Sequence, residues 1–284
     1  YCFDKQWQPK YDGRCFFTNS SITRIVKDRE GNYWFGSLDK GIIVVPDINS
    51  RLYQYQGKGI TALATEGGNI MAGTADHRVL SFNEKDNSFT SIYKEKANHE
   101  ILGLFYDDDK KQTIICSDRI VFLKQHNKIR EQWLGAKSIS IINKDLYAVA
   151  YTGGIGLLKL SDGSIAVPAW LIQPAAEWAN NIYPILPFAT RGRSVAFNSR
   201  DTVLYAATTK GLFYFSPGGS GKIQYQGKDI FGSQVKVDAE GIYVATYADG
   251  LYFINGRQQA IHVDNNSISK TIYKLSKSGN NLWM

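Results

Sequence analysis

Four aspartates along the chain are the residues best suited to acid–base chemistry. Each follows a short apolar run of similar composition, and the four are Asp39, Asp76, Asp118 and Asp249. Paired carboxylates supply the acid and the base of glycoside hydrolysis, so a rim that gathered these residues could hold a glycosidase or a lyase. The four histidines lie in separate segments, with no serine or cysteine motif beside them. The pattern permits catalysis without arguing for it, and we predict that the chain is not an enzyme.

A second group of residues suits binding. Residues 168–193 combine aromatic side chains with arginines and three of the seven prolines. Aromatic faces beside arginines can bind a sugar ring or an anionic saccharide by stacking and bidentate hydrogen bonds. A lid that plugs the mouth of the fold and a surface that packs on a partner are the alternatives. The candidate ligand residues here are Trp170, Trp178, Tyr183, Arg191 and Arg193.

These residues belong to a sequence that repeats. The segment ITRIVKDREGNYWFGSLDKGIIVVP, residues 22–46, returns in altered form from residues 60, 194, 233 and 271. A small residue ends each predicted second strand, and successive marks are 37, 43, 34, 57 and 38 residues apart. This spacing is typical of four-stranded propeller blades. The marking residues are Gly36, Gly73, Cys116, Ala150, Ala207 and Ala245.

Each repeat divides into short apolar runs bounded by turn residues, which predicts strands and hairpins. In the first repeat the predicted strands are residues 23–27, 33–37, 41–45 and 51–56. We therefore predict an all-β fold, a single domain over residues 1–284 that forms a seven-bladed β-propeller of four-stranded antiparallel blades. Residues 19–270 would form six complete blades, while residues 1–18 and 271–284 would share the seventh. A fragment trimmed from a longer repeat array is the alternative, and both can hold.

The turns between second and third strands share one face of a propeller with the connections between blades. We place residues 168–193 on that face as well, because they follow a predicted fourth strand at residues 165–167; residues 175–180 could form a helical turn. Aspartate, threonine and lysine are also ordinary turn residues, so a purely structural role is the alternative. The candidate ligand residues from these turns are Asp39, His77, Arg119, Tyr151, Lys210, Tyr247 and Asp249.

Composition excludes several classes of protein. The chain is 43% hydrophobic and carries 33 basic against 26 acidic residues, a net charge of +7. The charges are interspersed and no RNA-reading or zinc-finger pattern accompanies them, so we predict no nucleic-acid partner. No apolar run approaches the length of a membrane span, so a membrane would be reached only through segments outside this chain.

From the three cysteines we predict neither a metal site nor a cofactor. Cys116 occupies the small-residue position of its repeat and is expected to be a buried apolar residue. Cys2 and Cys15 lie on the predicted N-terminal hairpin, where a disulfide is one option; it would suit an oxidising compartment. No pair of cysteines has the spacing of a zinc site.

The first repeat resembles a known family. Asp28 and Gly31 form a turn signature, Asn32 and Trp34 follow, and Gly36-Ser37 and Gly41-Ile42 complete the pattern. This series resembles the two-component regulator propeller repeat, which has an Asp and Gly turn, an Asn, a Trp, a Gly-Thr or Gly-Ser, and a Gly-Leu. Residues 238–251 and 279–283 are partial copies. As a repeat pattern the resemblance covers almost the whole chain, although two units match it strongly.

The resemblance implies the periplasmic sensor domain of a bacterial, Bacteroidetes-type, sensor histidine kinase. The expected function is extracytoplasmic ligand sensing for a two-component signal transduction receptor, with an oligosaccharide as the ligand. The kinase chemistry would lie outside this chain, and a homodimer would form through flanking domains. A protein-interaction scaffold without a small ligand, using the same face, is the alternative function.

The repeat signature also predicts structural roles. Gly36 and its equivalents would leave room near the crowded axis. Trp34 and Trp283 would fill space between neighbouring blades, since a large flat side chain buries much area there.

Overall fold

In the computed structural model the chain consists of two compact units, Tyr1–Gln54 and Tyr55–Met284. Within the described residues the regular structure is β-strand, apart from one short 3-10 helix. The structure describes residues 19–45, 59–83, 85–86, 88–96, 98–125, 128–159, 165–174, 176–179, 181–186, 190–263, 268–278 and 281–284, with single residues 6, 8, 17, 55 and 57.

The first unit contains one antiparallel sheet in the order β1-β2-β3. Its strands are β1 (Ile22–Lys27), β2 (Tyr33–Ser37) and β3 (Gly41–Val45). The predicted second and third strands are confirmed with the same bounds, and the first begins one residue earlier than predicted. The predicted fourth strand, both strands predicted within residues 1–18 and the Cys2–Cys15 pairing fall outside the described residues.

The second unit contains six further sheets, in which neighbouring strands pair antiparallel in chain order. The second sheet has β4 (Ile60–Glu66), β5 (Asn69–Thr74), β6 (Arg78–Asn83) and β7 (Ser88–Lys94). The third sheet has β8 (Ile101–Asp107), β9 (Gln112–Ser117), β10 (Ile120–Gln125) and β11 (Lys128–Trp133). The fourth sheet has β12 (Ala136–Asn143), β13 (Leu146–Tyr151), β14 (Gly154–Lys159) and β15 (Ile182–Leu186).

The remaining three sheets follow the same plan. The fifth has β16 (Gly192–Asn198), β17 (Val203–Thr208), β18 (Gly211–Ser216), β19 (Gly219–Tyr225) and β20 (Lys228–Asp229). The sixth has β21 (Gly232–Val237), β22 (Gly241–Thr246), β23 (Leu251–Asn255) and β24 (Ala260–His262). The seventh has β25 (Ser276–Ser278) and β26 (Asn281–Trp283).

The fold is all-β and of the β-propeller class, as predicted. In the second unit the first strands of successive sheets contact one another, so these strands are the innermost. The seven sheets found among the described residues are consistent with a count of seven blades.

Small residues are required where each second strand passes the axis. Cys116, Ala150, Ala207 and Ala245 are fully buried. A Cβ added to Gly73 would lie 2.5 Å from Cγ2 of Ile101 in the next sheet. The predicted crowding is therefore confirmed in the second unit, and burial raises the pKa of the Cys116 thiol to about 12.

A serine or threonine follows the small residue and closes the next turn. In the fifth sheet the Thr208 hydroxyl accepts a hydrogen bond from the Lys210 amide at 3.0 Å and donates to the Gly211 carbonyl at 2.8 Å. The side chain is buried, so these bonds satisfy a hydroxyl that water does not reach. This role explains the Gly-Ser or Gly-Thr pair of the repeat. Thr74, Ser117 and Thr246 form the equivalent bonds.

Hydroxyls also join several innermost strands to the next one. The Ser194 Oγ accepts a hydrogen bond from the Val235 amide at 3.1 Å, and the Ser138 Oγ accepts one from the Val195 amide at 3.2 Å. The Thr61 hydroxyl donates to the carbonyl of Ile101 at 2.5 Å. An innermost strand has no sheet partner on one side, and these bonds satisfy its backbone groups there.

The predicted core role of the two tryptophans is wrong. Trp34 is 41% exposed and Trp283 is 62% exposed. The Trp34 indole N–H instead donates to the Asp28 carboxylate at 2.9 Å. The same carboxylate accepts hydrogen bonds from the amides of Glu30 and Asn32 and from the Asn32 side chain. The tryptophan of the repeat signature therefore helps to hold the Asp–Gly turn.

The first prediction concerns the crowded position on β5. Gly73→Ala should lower the free energy of unfolding by about 1–3 kcal/mol, because its Cβ displaces a buried neighbour. Gly59→Ala is the matched control: its Cβ meets no atom within 4 Å, so stability should change by less than about 0.5 kcal/mol. Urea unfolding followed by circular dichroism measures both, and equal stabilities would contradict the packing argument.

The second prediction concerns the turn carboxylate. Hydrogen bonds from Trp34 and Asn32 lower the Asp28 pKa to about 2, below the ordinary value of 3.8. The stability that this carboxylate contributes is therefore present above about pH 3.8 and is lost as the pH falls towards 2. Trp34→Phe removes the indole donor, so NMR titration should show the Asp28 pKa rising towards 3.8. Trp283→Phe should leave it unchanged, and an unaltered pKa in the Trp34 variant would contradict this role.

Candidate functional site

The long segment 168–193 contains the fourth strand of the fourth sheet. After β14 the chain passes through a 3-10 helix, Ala169–Leu171, and returns as β15. The prediction of a fourth strand at residues 165–167 was wrong, and the described residues 176–179 are not helical. In β15, Tyr183 and Ile185 are buried and alternate with partly exposed neighbours, as expected for a strand. Its Pro184 is tolerated because β15 is an edge strand.

This topology changes the face on which the segment lies. Successive antiparallel strands alternate direction, so third-to-fourth connections lie opposite the second-to-third turns. We call the face with the second-to-third turns of the second unit the turn face; it carries residues 75–77, 118–119, 152–153, 209–210 and 247–250. The described residues of the connection between β14 and β15, which are 165–174, 176–179 and 181, lie on the opposite face. The expectation that Trp170 and Trp178 share a face with the turn residues was therefore wrong.

The segment packs onto the sheets. Leu171 is fully buried in the apolar cluster between the fourth and fifth sheets, and both tryptophans pack against that cluster. The Trp170 ring stacks on Phe197 at 6.2 Å, and Trp178 lies 5.6 Å from the ring of Tyr183. The Tyr183 hydroxyl accepts a hydrogen bond from the Gln173 amide at 3.0 Å. The rings of Trp170, Trp178 and Tyr183 are used for packing within the fold, which explains why this segment is rich in apolar residues.

The turn residues are placed separately around the turn face. Arg119 and Lys210 are exposed, and Tyr151 is half-buried against the core between the third and fourth sheets. His77 adopts φ 69°, and its Nδ1 is buried without a hydrogen bond among the described residues. Asp39 belongs to the first unit, where a hydrogen bond from Ser37 lowers the pKa of its carboxyl.

Three of the four aspartates considered for catalysis have a local partner for the carboxylate: Asp39, Asp76 and Asp118. Asp76 accepts a hydrogen bond from the Tyr55 hydroxyl at 2.9 Å and lies 3.3 Å from Nε of Arg78. Asp118 lies 3.2 Å from Nδ1 of His99. Such contacts are typical of turn carboxylates held in place; a glycosidase site would instead place two of them facing a common substrate.

A groove on the turn face separates the fifth and sixth sheets. Its volume is about 880 Å³. One wall is the hairpin of β19 and β20, whose loop residues Gln226 and Gly227 both have positive φ, at 50° and 76°. A two-residue loop with this backbone is a type I′ turn, which matches the twist of the strands that it joins. The groove is lined by Gln224, Tyr225, Gln226, Gly227, Lys228, Asp229, Phe231, Ala248, Asp249, Gly250, Tyr252, His262, Val263, Ile268 and Lys270.

Aromatic rings form the floor of the groove. Tyr252 is buried, and its ring lies edge-on to His262 at 4.9 Å and to Tyr225 at 5.5 Å. The His262 Nε2 lies 2.7 Å from the backbone carbonyl of Asp249, which fixes the orientation of the imidazole. Phe231 leaves 44% of its surface exposed at the groove wall.

Polar side chains stand beside these rings. The Asp229 carboxylate accepts hydrogen bonds from Lys222 Nζ at 2.6 Å and from Gln224 Nε2 at 2.7 Å. The bond from Lys222 is the largest cause that holds the Asp229 pKa below its ordinary value. The groove thus offers an apolar surface and an ionised carboxylate within one concavity.

The sequence analysis missed the aromatic residues of this groove, although one signal was available. The letters YQGK occur at residues 55–58 and again at 225–228. The repetition includes the Gln-Gly loop, which favours a tight hairpin. Tyr55 contacts the second-to-third turn of the second sheet through Asp76, and Tyr225 lies against the equivalent region of the sixth sheet. Of the predicted site residues, Asp249 lies in the groove.

Arg193 and Tyr247, two other residues predicted to bind a ligand, contact each other near the axis. The Arg193 guanidinium lies over the Tyr247 ring, with Cζ 4.9 Å from the ring centroid. Its Nη1 also donates to the Gly232 carbonyl at 3.4 Å. Arg191 lies in the preceding connection, and its carbonyl accepts a hydrogen bond from the Thr209 amide.

The described part of the chain lacks two features. No group of three or more His, Cys, Asp or Glu side chains there is arranged to hold a metal ion. No helix within it has the length and apolar character needed to cross a bilayer.

The repeat signature, its hydrogen-bonded turn and the antiparallel sheets agree with one family. The model of that family, described as two component regulator propeller, matches residues 17–39. This segment is similar to the two-component regulator propeller repeat. No curated protein matches the chain.

Solved structures share the fold at low sequence identity. Virginiamycin B lyase from Staphylococcus aureus is 13% identical with a TM-score of 0.59, over 91% of this chain and 89% of the lyase. The computationally designed Ika8 protein is 11% identical with a TM-score of 0.54, over 92% of this chain and 79% of Ika8. The extracellular domain of a putative one component system from B. thetaiotaomicron is 12% identical with a TM-score of 0.48, over 93% of this chain and 50% of that one.

The third prediction concerns the segment on the opposite face. Tyr183→Phe removes the hydroxyl that accepts the Gln173 N–H, so the Gln173 amide should exchange with solvent faster. The free energy of unfolding should fall by about 1 kcal/mol. Hydrogen exchange by NMR measures the first effect and urea unfolding the second. Tyr273→Phe, at a 68% exposed tyrosine, is the control, and an equally protected Gln173 amide in both variants would contradict the prediction.

Proposed function

We propose that the chain is the extracytoplasmic ligand-sensing domain of a two-component signal transduction receptor, and that an oligosaccharide binds in the groove between the fifth and sixth sheets. The groove carries this proposal, because it combines exposed aromatic surface with ordered polar groups on the turn face. The repeat at residues 17–39 supports the assignment to two-component signalling. A periplasmic location follows from that assignment and belongs to the proposal.

The groove has the size and chemistry that a short saccharide needs. Its volume of about 880 Å³ lies within the ordinary range of small-molecule sites. A sugar ring presents an apolar face that can pack on Phe231 and Tyr225, and hydroxyls at its edge that can bind Asp229 and Gln224. The Lys222 contact holds Asp229 ionised, so its carboxylate accepts hydrogen bonds from sugar hydroxyls.

The position of the groove suits a signalling role. Its two walls belong to different sheets, so a ligand that contacts both favours one relative arrangement of them. A ligand shifts a receptor between states only by its difference in affinity for those states. We infer that binding changes how this domain packs against flanking domains or a second protomer, with the kinase chemistry outside these residues.

An interaction scaffold is the second candidate function. Tyr247 and Tyr273 are 43% and 68% exposed, and their rings contact each other at 5.7 Å. Exposed tyrosines are enriched at protein interfaces. This pair could therefore bind a protein partner without any small ligand in the groove.

The fourth prediction tests the saccharide site. A panel of purified neutral oligosaccharides, screened by thermal unfolding, should contain one that raises the Tm saturably; at 100 times Kd the stabilisation is about 2.7 kcal/mol. Phe231→Ala should weaken that ligand about tenfold or more by calorimetry, because it removes an aromatic wall. Trp178→Ala, on the opposite face, is the matched control and should leave the affinity unchanged.

The other outcomes separate the remaining functions. If no oligosaccharide stabilises the protein and it self-associates in a manner abolished by Tyr247→Ala, the scaffold is supported and the sensor is rejected. Release of reducing ends from a polysaccharide would show an enzyme and also reject the proposal.

A further inference from the structure

A β-bulge recurs near the start of every complete innermost strand of the second unit. The pairing register shifts between Ile60 and Ala62, and shifts of the same kind occur in β8, β12, β16 and β21. A bulge leaves one extra residue outside the ladder and redirects its side chain. The extra residues are Thr61, Leu102, Lys137, Arg193 and Ser233.

All five extra residues line one axial cavity. Its volume is about 650 Å³, and strands from five sheets, with residues 274–276, form its wall. It shares no lining residue with the groove between the fifth and sixth sheets. The bulges therefore determine which side chains are presented in this second concavity.

The cavity is strongly cationic. Its lining includes Lys137, Arg193, Lys236 and Lys274 but a single carboxylate, Asp108. That carboxylate lies 3.5 Å from Nζ of Lys111. Within the described part of the chain, no salt bridge involves any of the four lining cations.

Lys137 and Arg193 both line the cavity, and Arg191 lies in the connection that precedes Arg193. Burial of Lys137 is the largest cause that lowers its pKa, and the positive charges of Arg191 and Arg193 lower it further. Arg193 is held in place by the Gly232 carbonyl and the Tyr247 ring, so its guanidinium is positioned before any ligand arrives. Like charges that line one cavity repel one another, and an anion bound between them would relieve that repulsion.

We propose that this cavity is a binding site for a small anion with two or more negative charges, held by Lys137 and Arg193. Arginine binds the paired oxygens of a carboxylate, sulfate or phosphate in a bidentate manner, and lysine adds a point charge. The cavity accommodates an anion of the size of citrate. The site is separate from the proposed saccharide groove and does not depend on it.

The test uses sulfate, inorganic phosphate and citrate as probes at constant ionic strength, with chloride as the reference anion. At least one probe should raise the Tm saturably and bind by calorimetry. Lys137→Gln combined with Arg193→Gln should weaken that binding about tenfold or more, since each removes a charged contact. Lys210→Gln, at an exposed lysine outside the cavity lining, is the matched control and should bind as the unaltered protein does.

A second measurement guards against a folding defect in the variants. Without the anion and at low salt, Lys137→Gln should unfold at the same Tm as the unaltered protein or a higher one, because a repelling charge is gone. Stabilisation by the anions that persists in the double variant, or that is lost equally in Lys210→Gln, would overturn the proposal. So would a Lys137 variant that is less stable without anion. Phe231→Ala should leave the anion response intact, which separates this site from the groove.

Discussion

The unpaired side of each innermost strand is the constraint on which the second unit depends. Such a strand is an edge strand, and its free amides and carbonyls need partners once water is excluded. Hydroxyls of the adjacent sheet supply them, as Ser138 does for the Val195 amide and Ser194 for the Val235 amide. These bonds require the sheets to approach closely. Close approach in turn explains why the second strands carry glycine, alanine or cysteine at the axis.

The same geometry divides the unit into two faces with different roles. On the turn face, buried hydroxyls such as that of Thr208 hold the turns, so neighbouring side chains are presented from a fixed backbone. The groove between the fifth and sixth sheets includes residues 248–250 of this face. On the opposite face, Trp170, Leu171 and Trp178 pack over the gap between the fourth and fifth sheets. The proposed saccharide groove and this apolar packing therefore lie on opposite faces.

Much of the fold could be predicted because it is encoded locally. The strands at residues 33–37 and 41–45 follow from short apolar runs between turn residues, and the small residues at the axis follow from the repeat. The fourth strand of the fourth sheet could not be placed, since Pro184 weakens its strand pattern and a long segment precedes it. Trp34 was misassigned because an indole carries both a large apolar area and an N–H, and the sequence does not say which of them is used.

The candidate sites were less predictable, for a physical reason. A groove depends on which side chains of different sheets meet, and Tyr225 meets Tyr252 only after both sheets have formed. Likewise, Lys137 and Arg193 are 56 positions apart in sequence, and the bulges bring both to the axis. No short stretch of sequence around these residues indicates a bulge of this kind. Of the residues predicted to contact a ligand, Asp249 lines the groove and Arg193 lines the axial cavity. Asp249 lies in an exposed turn, which is an ordinary position for ligand contacts.

The late position of β15 in its sheet has a kinetic consequence. Strands joined by tight turns can pair within about 1–10 μs, the timescale of hairpin formation. β15 pairs with β14 only after residues 160–181 have closed a long loop, and loop closure costs entropy that grows with loop length. During folding, the edge of β14 is therefore exposed for longer than the edges of strands joined by tight turns. It is the position where pairing with a foreign strand competes most effectively with the native one.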